Sequence, residues 1–269
     1  MFCENDVRII VATHKQYDMP KYGIYLPVHV GAAVNKSELG YQKDNEGDNI
    51  SELNPYFCEL TGLYWAWKNL DAGYIGLVHY RRHFALKKTK NPLDGVLSFD
   101  DLQPSLGKVR IFVPKRRRYY IETLYSHYAH TMSADHLDKA KAITAKQCPE
   151  YSDSFERAIM KSTSGYMFNM MIMDKDLLCE YCEWLFKILF ELREQVDISC
   201  MTAFEARLFG RVSERLFNVW LDYQIKSGKV NKSEIKELPY IYLGKVNWFK
   251  KITSFIKAKL GGKGYDESF

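Results

Sequence analysis

The chain has 269 residues, of which 46% are hydrophobic and 26% are charged, and this composition is typical of a soluble globular protein. Its formal net charge is +5, but residues 245–263 contain six lysines and no acidic residue, so the rest of the chain is nearly neutral. An enzyme acting on nucleic acid is expected to carry a basic surface on its catalytic domain, and the charge distribution argues against that class.

No apolar run approaches the ~20 residues that cross a bilayer, and residues 1–6 lack the basic and apolar parts of a signal peptide. We therefore expect a cytoplasmic protein whose six cysteines are reduced thiols. Cys179 and Cys182 form a C-x-x-C pair, but they lie in an apolar pattern of helical spacing, and no second pair follows. This pattern favours two core-facing cysteines over a zinc or redox site.

The first predicted strand covers residues 7–12, VRIIVA, and is followed by Thr13, His14 and Lys15. A polar end on the first strand of an α/β domain is the usual place for a nucleotide, although a solvated loop gives the same pattern. A short extended segment is predicted within residues 22–34. The polar, acidic stretch that follows reads as an irregular loop, and it lacks the terminal glutamate of a calcium loop.

Residues 54–69 are predicted to form a helix that leads into the strand YIGLVHYRR, residues 74–82. Strand ends of this kind face the ligand crevice of open α/β sheets, so His79, Arg81 and Arg82 are placed to meet an anion such as a nucleotide diphosphate. The alternative is a strand that runs into a surface turn with solvated arginines.

The second half of the chain is predicted to be mainly helical. A strand at 109–114 precedes the basic run KRRRYY, which is either a solvated turn or a site for a phosphate or lipid headgroup. SGYMFNMMIM, residues 164–173, is predicted as a strand. Helices are predicted at 133–146, 153–160, 175–194, 199–209 and 213–226. Alternating elements followed by helices indicate an α/β fold.

Five blocks of this sequence resemble one family. They are DNISELNPYFCELTGLYWAWKNLDAGYIGLVHYRRHF (48–84), IIVATHKQYDMP, YLPVHVGAA, SGYMFNMMIMDKDLLCEYCEWLF and FGRVSERLFNVWL. In this order they resemble bacterial capsular and exopolysaccharide glycosyltransferases first catalogued as a domain of unknown function, over roughly residues 7–222. The resemblance implies a GT-A-like single domain with a Rossmann-like N-terminal half and a helical C-terminal half.

The same resemblance implies transfer of a hexose from a uridine-diphosphate sugar, with a galactosyl donor, in pyranose or furanose form, as the leading expectation. Most GT-A enzymes hold the diphosphate with a metal bound to Asp-x-Asp, but here the key strand ends in His79-Tyr80-Arg81. We expect Arg81 and Arg82, with His79, to replace the metal, because guanidinium binds phosphate oxygens bidentately. No metal is therefore expected. Manganese at Asp174 and Asp176 is the alternative, against a helix-capping role for these residues.

The residues expected around the nucleotide sugar are Thr13, His14, Lys15, Tyr17, Asp48, Asn49, Asn54, Glu59, His79, Tyr80, Arg81 and Arg82. Glu214 is the expected general base of an inverting reaction, in the first turn of a helix capped by Ser213 beside a hinge at Gly210. A surface residue that complements the helix dipole is the alternative, and Glu59 and Asp48 are the substitute bases. His130 and Arg211 are expected to contact the acceptor.

Residues 245–269 are expected to form a basic amphipathic tail on a catalytic domain of residues 1–244. Apolar residues between 246 and 260 recur at helical spacing opposite lysines, which predicts a helix lying on the inner face of the cell membrane through residues 245–263, or one docked on its own domain. The expected acceptor is an oligosaccharide carried on a polyprenyl diphosphate lipid. The rival function is a non-catalytic nucleotide- or polyphosphate-binding protein recruited to membranes.

Overall fold

The computed structural model describes residues 2–87 and 89–243, so the predicted tail helix lies outside the described residues. The strands in this part of the chain are β1 (Val7–Thr13), β2 (Tyr25–His29), β3 (Gln42–Lys43), β4 (Tyr74–His79), β5 (Arg82–Phe84), β6 (Ile111–Pro114), β7 (Arg117–Arg118), β8 (Ser164–Gly165), β9 (Met171–Asp174), β10 (Ile235–Leu238) and β11 (Tyr240–Tyr242). The α-helices are α1 (Asn54–Phe57), α2 (Leu60–Asn69), α3 (Phe99–Leu102), α4 (Leu124–Ala129), α5 (Asp135–Gln147), α6 (Ser152–Phe155), α7 (Lys175–Gln195) and α8 (Leu208–Lys226). No helix of the described part is long and apolar enough to cross a membrane.

The central sheet has the strand order β10-β6-β9-β4-β1-β2-β3, extended by β5 and β11. β1 is parallel to both β2 and β4, whereas β9 runs antiparallel between β4 and β6. β1 and β4 are almost entirely buried, as their continuous apolar sequences predict for central parallel strands. Because β1 and β4 are parallel neighbours, their carboxyl ends lie at the same edge of the sheet.

Each face of the sheet is covered by its own core, since successive side chains of a strand point to opposite faces. Ile10 and Leu77 pack in the larger core, which includes the buried residues of α2, α5, α7 and α8. Ile9 and Val78 pack in a smaller core together with Leu102 of α3. The helical second half of the chain therefore covers mainly one face.

Several predicted elements are confirmed. β4 and β6 lie within the predicted strands, β1 extends the strand predicted at 7–12 by one residue, and the helices predicted at 133–146 and 175–194 appear as α5 and α7. Of the two cysteines predicted to face the core, Cys182 is buried in α7, whereas Cys179 is only half-buried, and all six cysteines are free.

Three predicted elements are wrong in detail. The helix predicted at 54–69 is divided into α1 and α2, because Cys58 has φ 53° and ψ −130°, a conformation that no helical residue adopts. The strand predicted at 164–173 is interrupted by a loop, because Phe168 and Asn169 have positive φ. No helix forms over most of 199–209, and α8 begins at Leu208.

Candidate active site

The His-Tyr-Arg-Arg sequence forms a tight hairpin at the end of β4. His79 of β4 pairs with Arg82 of β5, so Tyr80 and Arg81 are the two residues of the turn. The Tyr80 amide donates a hydrogen bond to Ala12 O at 3.2 Å, and this contact places the turn beside the end of β1. Arg81 therefore lies at the tip of the hairpin, at the edge of the sheet where ligands of α/β proteins bind.

The buried ring of Tyr80 is a platform for cations at this edge. The ring is 8% exposed, and its centroid lies 5.4 Å from Lys15 Nζ and 5.0 Å from the Arg81 guanidinium. The ring centroids of His14 and Tyr17 lie 5.4 and 5.1 Å from that of Tyr80, in T-shaped pairs. Since the ring of Tyr80 is already packed by its neighbours, it supports the two cations and offers no free face for a base.

Several cations surround His14 and affect its pKa. This pKa lies below its usual value because of desolvation and then because of the nearby charges of Lys15, Arg207 and Arg81. We call Lys15, Arg81 and Arg207 the cationic rim. Thr13 shapes the loop that carries it, because its Oγ1 donates to Lys15 O at 2.6 Å and accepts from Lys15 N at 3.3 Å.

Arg207 is the rim residue that the sequence analysis missed. It lies immediately before α8, and its Nε donates to Cys58 Sγ at 3.2 Å, which ties α8 to the turn between α1 and α2. Burial raises the pKa of the Cys58 thiol to about 11, so this thiol is neutral near pH 7. Arg211, predicted to contact the acceptor, follows one helical turn later, and its guanidinium packs over the Phe204 ring at 4.1 Å.

The loop at Phe168 and Asn169 holds a strained backbone beside the rim. Both residues have positive φ, 75° and 52°, which costs non-glycine residues on the order of 1–3 kcal/mol and is found most often at functional sites. His79 stabilises this loop: its Nε2 donates to Phe168 O at 2.5 Å. The structure thus places His79 as a support for the loop, whereas the sequence analysis placed it against the diphosphate.

Two glutamates contact the same strained loop from opposite sides. Glu59 Oε1 accepts from Asn169 Nδ2 at 2.7 Å, and Glu214 Oε1 accepts from Phe168 N at 3.1 Å. Ser213 Oγ donates to Asn169 Oδ1 at 3.0 Å. The loop therefore links the start of α2 to α8.

The surroundings of Glu214 differ from those predicted. Because α8 begins at Leu208, Gly210 is a helical residue rather than a hinge, and Ser213 is buried inside the helix rather than capping it. Glu214 lies in the second turn, where its Oε2 accepts from Arg215 Nη1 at 2.7 Å. The two side chains are 20% and 7% exposed, so the carboxylate is held in one orientation at the edge of the core.

Other predicted site residues lie elsewhere or have structural roles. The Asp48 amide donates a hydrogen bond to Asn69 Oδ1 at 3.1 Å, at the far end of α2, so Asp48 and its neighbour Asn49 are not brought to the rim. Asn54 Nδ2 donates to Cys58 O at 2.8 Å and supports the turn between α1 and α2. The exposed His130 contacts Glu122.

Arg82, the second predicted clamp residue, packs on aromatic rings. Its guanidinium lies 4.6 Å from the Phe168 ring centroid and 5.3 Å from that of Tyr242. The Arg81 guanidinium also lies near the Tyr242 ring, 5.8 Å from its centroid, so both arginines flank the last described strand. Arg82 differs in packing on Phe168, so it also supports the loop.

Asp174 is at the opposite edge of the sheet, since it pairs with Tyr74 at the start of β4. It caps α7 by accepting from Leu177 N at 2.9 Å, and it binds Arg110 Nε at 2.5 Å. The helix-capping interpretation is therefore the one that the structure bears out. Across residues 2–87 and 89–243, no three His, Cys, Asp or Glu side chains are grouped as metal ligands.

A cleft of about 510 Å³ lies next to the rim. Tyr17 is in its wall, and the Tyr17 hydroxyl donates to Leu243 O at 3.4 Å. The remaining wall residues are Gln16, Asp18, Asn91, Pro92, Leu93 and Leu243. The cleft thus places a mixed polar and apolar pocket next to the cationic edge.

The fold and the sequence both have counterparts among known proteins. The fold is similar to that of the apo structure of WbbM, a bifunctional glycosyltransferase, with a TM-score of 0.82 and 31% sequence identity. This match covers 89% of the present chain and 46% of that chain, so the present chain spans about half the length of WbbM. No curated protein matches. The predicted mixed α/β, GT-A-like fold is confirmed. A family model described as a domain of unknown function, DUF4422, matches residues 8–225, and the chain belongs to this family.

Proposed function

We propose that the protein is a glycosyltransferase that moves a hexose from a uridine-diphosphate sugar to a lipid-linked oligosaccharide during the synthesis of a bacterial surface polysaccharide. The observation that carries the proposal is the cationic rim, where Lys15, Arg81 and Arg207 converge from three separate segments on one edge of the sheet. The similarity to a glycosyltransferase over 89% of the chain supports the same reaction class.

The rim is suited to the leaving group of such a reaction. A departing nucleoside diphosphate gains negative charge, and fixed cations next to it stabilise the transition state. Arginine does so without a metal, because its guanidinium stays charged and donates two parallel hydrogen bonds to phosphate. The uracil ring then occupies the neighbouring cleft beside Tyr17. No divalent metal is required in this proposal.

Glu214 is the proposed general base of an inverting transfer. Its contacts with Phe168 N and Arg215 Nη1 fix its orientation next to the strained loop, as a base must be fixed to meet an acceptor hydroxyl. Glu59 is the substitute, because it contacts the same loop through Asn169. Arg211 lies one turn before Arg215 on α8 and is retained as an acceptor contact, together with His130.

The donor sugar is proposed to be galactosyl, and the acceptor to be an oligosaccharide on a polyprenyl diphosphate lipid. Such an acceptor requires the enzyme to work at the inner face of the cell membrane, and the lysines of residues 245–263 supply one source of attraction to anionic lipid. The rival, a non-catalytic binding protein, uses the same rim to hold a nucleotide without transferring a sugar.

The deciding experiment supplies the purified chain with uridine-diphosphate galactose and a polyprenyl-diphosphate oligosaccharide. Release of uridine diphosphate that depends on the acceptor, together with a product heavier by one hexose, is the expected result. Tight uridine diphosphate binding without turnover, with any of a panel of donors and acceptors, would support the binding protein instead. Weak binding of uridine diphosphate would remove both functions.

A further inference from the structure

A short cationic loop with an apolar tip projects from the domain after β6. We call residues 115–121, Lys-Arg-Arg-Arg-Tyr-Tyr-Ile, the prong. At its tip Tyr120 is 82% exposed and Ile121 is 93% exposed, the highest values among the large hydrophobic residues of the described chain. A single exposed apolar residue needs no explanation. Two adjacent exposed apolar residues at the tip of a projecting basic loop do need an explanation.

Backbone pairing and side-chain packing fix the base of the prong, and this fixes the position of its tip. β7 pairs with β8 through Arg117 with Gly165 and Arg118 with Ser164. The Tyr119 amide donates to Thr163 O at 2.8 Å, and the Tyr119 ring packs against His127 with 4.0 Å between centroids.

The backbone at the tip is strained in a way that exposes its aromatic side chain. Tyr120 has φ 61°, a left-handed conformation that costs a residue with a Cβ roughly 1–2 kcal/mol. The half-buried Tyr119, packed on His127, and the exposed Tyr120 beside it show that the fold uses one tyrosine as an anchor and leaves the next in solvent. Strain of this kind persists where the surrounding structure enforces it, often for a binding role.

The four basic residues at 115–118 are all exposed and uncompensated. Within the part of the chain that the structure describes, none of them has a carboxylate oxygen within 4.0 Å. Arg116 and Arg117 lie instead over the rings of Tyr166 and Tyr119, at 4.8 and 5.2 Å, which orients them and leaves their charge free.

We propose that the prong docks on an anionic lipid surface, with its arginines against lipid phosphates and with Tyr120 and Ile121 in the interface between headgroups and acyl chains. Clustered basic residues next to exposed aromatic and aliphatic side chains are the chemistry that binds such an interface, since each cation near the surface and each buried apolar group adds to binding. The charge complementarity favours anionic lipid over neutral lipid.

The position of the prong links this surface to the candidate base. From β8 the chain runs through Tyr166 to Phe168, whose amide donates to Glu214, so the prong and Glu214 lie on the same side of the domain. An acceptor carried on a lipid diphosphate reaches Glu214 most directly from that side. This last step rests on the proposed function, whereas the membrane contact itself does not.

The test measures binding of the full chain to vesicles of equal parts phosphatidylglycerol and phosphatidylcholine. The double variant Tyr120→Asn with Ile121→Ser removes the apolar tip, and asparagine tolerates the left-handed conformation, so the fold is kept. We expect at least about a tenfold loss of vesicle affinity. Arg116→Gln with Arg118→Gln is expected to lose about 30-fold, the equivalent of about 2 kcal/mol for two surface cations.

Tyr22→Ser with Val34→Ser is the matched control, because these residues are also exposed, 38% and 51%, but neither adjoins a run of basic residues. The control pair is expected to bind vesicles as the unaltered chain does. The prong and the tail are separate contacts, so their contributions to the free energy of vesicle binding add, and the loss from a prong variant can be measured in a chain that keeps residues 245–269. Unchanged binding of the prong variants, equal loss in the control, or equal binding to pure phosphatidylcholine overturns the proposal.

A depth measurement separates insertion from surface attraction. Ile121→Trp is introduced in a Trp248→Phe background, and vesicles with brominated acyl chains should quench its fluorescence more than that of the Trp248→Phe variant alone, which keeps the other four tryptophans, if the tip inserts. Absence of this additional quenching, or binding of inorganic phosphate without binding of vesicles, refutes the lipid surface. Uridine diphosphate affinity is measured on the same variants and is expected to stay constant, so a failure of donor binding is not mistaken for a failure of the prong.

Discussion

Replacing Arg207 with alanine tests the cationic rim at the residue that the sequence did not reveal. Arg207 is exposed and its side chain donates one hydrogen bond, to Cys58 Sγ, so its loss should change folding stability little. A hydrogen bond from arginine to a charged phosphate contributes about 1.5–3 kcal/mol. We therefore expect uridine diphosphate to bind about 10- to 150-fold more weakly, as measured by calorimetry. Arg193→Ala, on the exposed end of α7, is the matched control and should bind normally.

The pKa of His14 gives a second, independent test of the proposed contact between the cationic rim and the diphosphate. This pKa is lowered by desolvation and by Lys15, Arg207 and Arg81, so removing Arg207 should raise it, and so should a bound diphosphate, which neutralises the rim. Because the pKa of His14 is then higher in the complex than in the free protein, binding takes up a proton between these two values. Affinity should accordingly increase as the pH falls through that window and level off below it.

Titration of the His14 ring by NMR, with and without uridine diphosphate, follows this linkage directly. If Arg207→Ala binds uridine diphosphate within twofold of the unaltered chain, and the pKa of His14 does not change when the ligand is added, the nucleotide binds elsewhere. A loss of affinity in Arg193→Ala of the same size would show a general effect of surface charge instead.

Four further predictions concern metal, base, acid stability and tail. A chelator should leave uridine diphosphate affinity and transfer activity intact, and activity restored only by manganese would contradict this. Glu214→Gln should keep donor affinity and lower turnover by about 10²- to 10⁴-fold; normal turnover would move the role to Glu59. Burial lowers the pKa of His83 from 6.5 to about 4. The unfolded chain therefore binds a proton at His83 more readily below pH 6.5, and the free energy of unfolding should fall by about 3 kcal/mol by pH 4. Urea unfolding of His83→Gln should show a smaller fall. Deleting residues 245–269 should remove most vesicle binding and leave uridine diphosphate affinity unchanged.

The sheet could be predicted from sequence because its signals are local. β1 and β4 are unbroken apolar runs, and such runs mark central parallel strands whatever surrounds them. α7 shows its apolar face at helical spacing along 21 residues, and it begins at the aspartate that caps it. Position along the chain was enough to place Lys15 and Arg81 at one sheet edge, since both follow strands that run in parallel.

The rest of the site depended on backbone conformations that carry no sequence signal. Cys58, Phe168 and Asn169 all have positive φ, and of the three only asparagine favours that region. The sequence pattern therefore predicts an unbroken helix through Cys58 and an unbroken strand through Phe168. Those two breaks are what bring Arg207 to the rim and turn the Phe168 amide toward Glu214. A glycine at either position would have marked the turn.

The strained segments at Cys58 and Asn169 couple the cationic rim to the candidate bases. The turn at Cys58 is fixed by Arg207 from α8, and the loop at Asn169 is fixed by Glu59 from the start of α2 and by Ser213 from α8. Each strained backbone is thus stabilised by a side chain from the other region, and relaxation of either one displaces a rim cation or a candidate base. Backbone strain of 1–3 kcal/mol per residue is retained only when such contacts over-determine it. We therefore expect a substitution at Asn169, whose side chain contacts Glu59 and Ser213, to affect the cationic rim and the candidate base together.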